Sequence, residues 1–190
     1  MIIILVIIFF LFFGILWSFT SRRFSPIPYF PTNRKDISLI VKSLLNKKSR
    51  VPSFKFQVID LGAGTGTVIF PTALEAYNKK LPIKFVAIEI HPLLIFILHL
   101  KRLFHPNKNN IKIIRADIFN MDFNNLLSST LHPPPSIFYL YVGREALRRL
   151  KEQLSKLPAG TRIISYMYPI EGKKADVELS GVHKIYSYKV

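Results

Sequence analysis

The hydrophobic pattern changes character along the chain. Residues 2–17 are apolar without interruption apart from Gly14, and no charged side chain precedes Arg22. At about 1.5 Å per residue, a helix over residues 2–20 spans close to the ~30 Å hydrocarbon layer of a bilayer. The run therefore predicts one N-terminal transmembrane helix over residues 1–21, with Trp17 at the interface and Arg22 and Arg23 just beyond it. A cleaved signal peptide would want a basic start, a shorter apolar core and a small-residue cleavage site, and none stands out. The arginines predict a single-pass membrane protein with the rest of the chain on the cytoplasmic, or matrix-equivalent, side. Residues 22–34 follow as a connector in which Pro26, Pro28 and Pro31 fix φ and block helix.

From residue 35 onward, short apolar runs alternate with amphipathic stretches. A helix is expected over residues 36–46, where apolar Ile37, Leu39, Ile40, Val41, Leu44 and Leu45 suit packing against the sheet. Residues 58–61 read as a buried strand and 67–79 as a helix with Pro71 in its early turns. Residues 83–89 form a second strand. Pro92 opens a helix that runs to about Phe104, wholly apolar from Leu93 to Leu98. That helix is either buried or in contact with membrane, and it is too short to span. Strands are expected at 111–114, 136–142 and 161–168, with an amphipathic helix over 144–157. Residues 183–190 alternate as a terminal strand, Ile185 on one face and Tyr186 and Tyr188 on the other. This order predicts an α/β domain over residues 35–190, with a parallel Rossmann-like sheet, right-handed crossovers and helices on both faces. Ligands of such sheets bind beyond the carboxyl ends of the strands.

Charge and composition narrow the partners. The chain carries 27 Lys and Arg against 11 Asp and Glu, a formal net charge of +16. The basic residues are scattered and form no tail-like run. Beside an apolar N-terminus, they point to an anionic membrane surface as partner, and no nucleic acid is expected. There are no cysteines, and the five histidines lack metal-ligand spacing, so no metal is expected.

The chemistry concentrates in Asp60-Leu61-Gly62-Ala63-Gly64-Thr65-Gly66, at the end of the first strand. Glycines there let the backbone approach a ligand closely. The spacing is G-x-G-x-G, not the G-x-G-x-x-G of a dinucleotide site, and Asp60 precedes the first glycine by two residues. An acid so placed suits a cation better than a pyrophosphate. Glu89 ends the next strand, where a carboxylate can accept from ribose hydroxyls. Asp117, with Ile118 beside it, ends the third and could face a base, or could equally be a helix N-cap before the following segment. S-adenosylmethionine, a nucleoside with an ammonium and a sulfonium and no phosphate, fits these expectations. The expected cofactor contacts are Asp60, Gly62, Ala63, Gly64, Gly66, Glu89, Asp117 and Ile118.

The D-L-G-x-G-x-G stretch resembles motif I of the class I S-adenosylmethionine-dependent methyltransferases. The resemblance extends further. Pro28-Tyr29-Phe30-Pro31-Thr32, Glu89-Ile90-His91-Pro92, Tyr141-Val142 and Gly160-Thr161-Arg162-Ile163-Ile164-Ser165 look similar to landmarks of a narrower family. These are the membrane-anchored protein-lysine methyltransferases that modify the ATP synthase c-ring protein and the adenine nucleotide translocase. The chain departs from that family at Thr65-Gly66-Thr67, where a charged pair is usual, at His91, where Asn is usual, and at Ser136, where an acid often opens the fourth strand. The resemblance implies N-methylation of lysine in a membrane protein. Tyr141 and Tyr29 are the candidate residues beside the reacting amine, with Tyr168 a further candidate for the channel wall. His132 and the prolines after it precede a strand, so the N-P-P-[YF] element of adenine and glutamine methylation is missing. Methylation of a lipid headgroup or a lipophilic small molecule, and a tethered module without catalysis, are the alternatives.

Overall fold

The computed structural model describes residues 2–20, 25–27, 29–45, 56–127 and 135–190. Arg22, Arg23, Pro28 and residues 132–134 lie outside these, as does the side chain of Trp17. Seven strands form one sheet in the order β3-β2-β1-β4-β5-β7-β6. The strands are β1 (Gln57–Leu61), β2 (Lys84–Glu89), β3 (Ile111–Arg115), β4 (Ser136–Leu140), β5 (Arg162–Tyr166), β6 (Val177–Ser180) and β7 (Lys184–Lys189). The first five are parallel; β7 runs antiparallel between β5 and β6.

The central strands read as continuous hydrophobic runs because both faces are covered. All five residues of β1 and all five of β4 are buried. On one face lie α2 (Ile37–Leu44), α3 (Ile69–Asn78) and α4 (Pro92–Leu103), packed against Val58, Phe85 and Tyr139. On the other lie α5 (Phe123–Leu127) and α6 (Arg144–Ser155), packed against Ile59, Leu61, Phe138 and Leu140. The alternating directions of β1 side chains thus feed two separate cores.

Three expectations change. The helix after the glycine turn begins at Ile69 rather than Thr67, because residues 62–68 are taken up by turns that positive φ at Gly62, Gly64 and Gly66 allows. Strand β6 was not expected; its residues are mostly exposed, and it holds its place by pairing with β7. The N-terminal α1 (Ile2–Thr20) is nineteen residues long and uncharged, and its described side chains, residues 3–10 and Phe13, are 46–75% exposed. Yet among the described residues no helix is long and apolar enough to cross a membrane. A transmembrane α1 is therefore not part of the architecture established by the structure.

One buried acid ties the chain's two ends together. Asp36, 2% exposed, precedes α2 and accepts from the Tyr166 hydroxyl at 2.7 Å, the Val182 amide at 2.7 Å and the His183 amide at 2.9 Å. A Cβ at Gly181 would collide with this carboxylate. Removing the acceptor leaves the buried Tyr166 hydroxyl and two part-buried amides unmet, and an unmet buried donor is costly. Asp36→Ala is expected to lower stability by roughly 2–4 kcal/mol, and Tyr166→Phe by about 1 kcal/mol. Urea midpoints at constant slope measure both.

Candidate cofactor cleft

The cleft sits where β1 and β2 end. Their parallel register sets Asp60 beside Ala87 and Leu61 beside Ile88, so Glu89 emerges one residue beyond the point where the glycine turn leaves. The Ile88 carbonyl accepts from both Gly62 and Ala63 amides at 2.9 Å, which clamps the turn to β2. Gly64 then donates its amide to Glu89 Oε2 at 2.8 Å. The other carboxylate oxygen, Oε1, accepts from the Ile90 amide at 2.8 Å and the His91 amide at 2.9 Å.

Glu89 and Asp60 are therefore in opposite situations. Both are buried, at 6% and 3% exposure. Glu89 has three backbone donors. No donor among the described residues reaches Asp60, whose carboxyl is pushed up to about 8, first by burial and second by the charge of Glu89. Asp60 nonetheless lies on the cleft wall. A buried acid without a partner, facing a cleft, is set to receive a cation. Glu89, with three of about four acceptor positions in use, keeps room for one hydroxyl. Its place at a strand end led to the expectation that it takes both ribose hydroxyls. That would require Gly64 to share or release its bond.

Gly62, Ala63, Gly64, Glu89, Asp117 and Ile118 all line the cleft together with Asp60. Gly66 does not. Its φ is +76°, and a Cβ there would strike Phe70 and Leu98, so it serves the packing of α3 against α4. Asp117 spends both oxygens locally, Oδ1 on the Phe119 amide and Oδ2 on the Asn120 side chain, each at 3.0 Å. It caps a turn and borders the cleft at once.

The connector was expected to be extended, and its position is new. Its described residues among 25–32 form a strap along the cleft. The Tyr29 ring lies over Gly64, where a Cβ would come within 2.7 Å of Cε2, and the Tyr29 hydroxyl meets Thr65 Oγ1 at 3.0 Å. Thr32 Oγ1 meets the Tyr139 hydroxyl at 3.2 Å. Tyr139 stands beside Asp60 in register and was not singled out from the sequence; every residue of β4 is buried, so no alternation reveals which face a side chain takes.

A second hollow adjoins the first and shares Ile27, Phe30 and Tyr141 with it. Its other walls include Phe119, Met167, Tyr168 and Glu145. Tyr141, just past β4, donates to Met167 Sδ at 3.7 Å, and its ring meets Tyr166 edge-on at 4.9 Å. Burial pushes its phenol up, and nearby Tyr168 adds to this, so Tyr141 is neutral near pH 7. Tyr29 touches the glycine loop rather than this hollow, and Tyr168 lines the hollow alone.

This architecture is the class I methyltransferase fold, a mixed α/β Rossmann-like sheet. An RNA methyltransferase from Salinibacter ruber, solved with S-adenosyl-L-homocysteine, superposes with a TM-score of 0.67 at 17% identity, covering 84% of this chain and 93% of that one. The rRNA methyltransferase aviRa from Streptomyces viridochromogenes gives 0.60 at 16% identity, covering 85% and 86%. In sequence, the chain is similar to a Caenorhabditis elegans lysine N-methyltransferase of the ATP synthase C-type subunit, 20% identical over 167 residues, 86% of this chain and 80% of that protein. No model of a known protein family matches the chain.

The Asp60 arrangement makes a measurable statement. A carboxyl near 8 is mostly protonated at pH 7, and an arriving ammonium would ionise it. Calorimetry of S-adenosylmethionine binding in buffers of different ionisation enthalpy should show nearly one proton released at pH 7, and none in Asp60→Asn. In the ligand-free protein the sign runs the other way. A carboxyl raised from 3.8 to about 8 on folding costs stability as pH rises through that window. The stability of Asp60→Asn relative to the parent should therefore climb between about pH 4 and 8 and level off above.

Proposed function

We propose that the protein is an S-adenosylmethionine-dependent N-methyltransferase whose acceptor is a lysine of a membrane-associated protein. One observation carries the cofactor: Asp60, unpartnered and buried, faces the same cleft as the glycine turn and Glu89. Asp60 would take the ammonium of the amino-acid part, the backbone of residues 62–64 would pass beneath it, and Glu89 would hold a ribose hydroxyl. Ile118 supplies an apolar wall for the base, with Asp117 beside it. Likeness to the C. elegans lysine methyltransferase supports the acceptor. Membrane attachment through α1, with the domain on the cytoplasmic or matrix-equivalent side, is supported by its uncharged nineteen residues and exposed apolar side chains.

S-adenosylmethionine, when bound, would supply a methyl on a positive sulfur, and a neutral amine in line with the C–S bond could take that methyl while the thioether leaves with the bonding pair. The chain's part is to strip the lysine of its proton and aim it. The hollow is walled by Phe30, Phe119, Met167 and Tyr168 together with the cation Arg149 and the acid Glu145, which is paired with Arg148 at 2.9 Å. The apolar walls and Arg149 disfavour the charged ammonium, and the proton leaves to solvent. Tyr141, a neutral phenol at the junction of the two hollows, can accept an N–H bond from the amine and so direct its lone pair toward the cleft. It cannot be the base, since it is already protonated.

The full chain in detergent should bind S-adenosylmethionine, and Glu89→Ala should weaken binding by roughly tenfold or more. Failure of a folded protein to bind would leave the tethered, non-catalytic module. Tyr141→Phe should bind the cofactor normally and turn over roughly 10- to 100-fold more slowly. Unchanged turnover removes its role. Radiolabelled methyl found in lipid instead of protein would establish the headgroup alternative.

A further inference from the structure

Helix α4 has two unlike sides. Leu94 and Leu98 are buried, and Leu94 reaches the cofactor cleft. Phe96, Leu100, Leu103 and Phe104, the last being its C-cap, are 65%, 48%, 59% and 79% exposed. At about 100° per residue these four fall within roughly 100° of arc, on the side away from Leu94 and Leu98. A helix that is apolar on its outer side as well as its inner side lacks the polar face of an ordinary surface helix.

The charge on α4 and the segment after it is of one sign, and the one acid on the neighbouring α3, Glu75, is paired with Lys79 at 2.6 Å. Residues 90–116 contain Lys101, Arg102, Lys108, Lys112 and Arg115 and no Asp or Glu. The neighbouring α3 continues the apolar character. His105 Nε2 meets the Phe70 carbonyl and Asn107 donates to the Ala73 carbonyl, which fixes the end of α4 to α3, and there Leu74 and Tyr77 are also exposed.

We propose that the outer stripe of α4 beds into an anionic membrane surface. Apolar side chains at the acyl boundary with cations at the headgroups are the two components of interfacial binding. Nucleic acid suits this face less well. Two of the four residues are leucines, which have no ring to stack on a base, and along the helix they separate the two phenylalanines. The inference shares the membrane with the attachment proposed for α1 but does not depend on the methyl-transfer chemistry. Its mechanical consequence is that α4 would be held on both sides, by the bilayer on one and by the cofactor cleft on the other. Lys101 adds a direct link, donating to the Thr65 carbonyl of the glycine turn at 2.8 Å.

The chain has no cysteine, so one introduced cysteine gives one label. Bimane would be placed at Leu103→Cys, and as a control at Ser155→Cys on α6, across the sheet. The full-length protein would be added to phosphatidylcholine vesicles containing about a third phosphatidylglycerol and a nitroxide-labelled lipid. Expected is quenching at 103 several-fold stronger than at 155, weakened in purely neutral vesicles and by Lys108→Glu. Equal quenching at the two sites, in protein that floats with the vesicles, overturns the proposal and leaves α1 attachment standing. A label at 103 that is shielded from aqueous iodide yet unreached by the lipid quencher has a protein over it, a second copy included, and also overturns it. So does shielding by an added RNA oligonucleotide in place of vesicles. Absence of flotation removes this proposal and the α1 attachment together. Calorimetry with S-adenosylmethionine on the same samples reports the methyltransferase reading separately.

Discussion

Two carboxylates at the ends of adjacent parallel strands set the terms for everything around them. Parallel register places Asp60 and Glu89 close together, and the sheet's covered faces leave both only slightly exposed, on the cleft wall. Like charges that are poorly solvated are unfavourable, and the fold resolves the conflict unequally. Glu89 takes three backbone amides, one of them from the glycine turn itself. Asp60 takes none, and its carboxyl rises to about 8. The turn can donate to Glu89 only because residues 62–66 adopt positive φ at three glycines. Glycine turn, fixed acid and free acid are thus one device, and a cationic nucleoside is the ligand class that would complete it.

The strap depends on the same turn. With no side chain on Gly64, the Tyr29 ring can lie on the backbone, and Tyr29 and Thr32 then bind Thr65 and Tyr139. The wall of the cleft is therefore built from a segment that precedes the domain proper. Ser25 and Ile27 belong to this wall as well. A truncation made at the start of α2 would remove it, although it would leave every strand in place.

What the sequence made legible follows from how strongly each element is over-determined. Strands β1 and β2 stand out as apolar runs ended by glycine or an acid, because two covered faces demand such runs. The glycine turn is legible for its φ requirement. Strand β6 is not, since Val177, Glu178, Leu179 and Ser180 have little burial to enforce a pattern and rely on β7 for pairing. The antiparallel direction of β7 is a tertiary choice that no local period encodes. Tyr139 escaped notice for the opposite reason, as uniform burial erases the period. Prolines announced an extended connector without indicating where it lies. The Asp36 latch joins residues 130 to 147 positions apart, a separation across which sequence carries no local signal.

Covalent reach adds a constraint that needs no further contact. Helix α1 ends at Thr20, and Ser25 already belongs to the cleft wall. Five peptide steps separate them, which at no more than about 3.6 Å per residue is at most roughly 18 Å. The end of α1 at Thr20 is therefore tied to within about that distance of the cleft, and the exposed side chains at residues 3–13 lie roughly 10–26 Å further along the helix. A surface that takes up those side chains would lie within a few tens of ångströms of the cleft. A freely diffusing protein would gain nothing from so short a tether, whereas an acceptor fixed at the surface would be presented to the cleft at high effective concentration. The short connector and the unpaired acid thus support the same reading from unrelated physics. One limits where the acceptor can be, and the other limits what the cofactor can be.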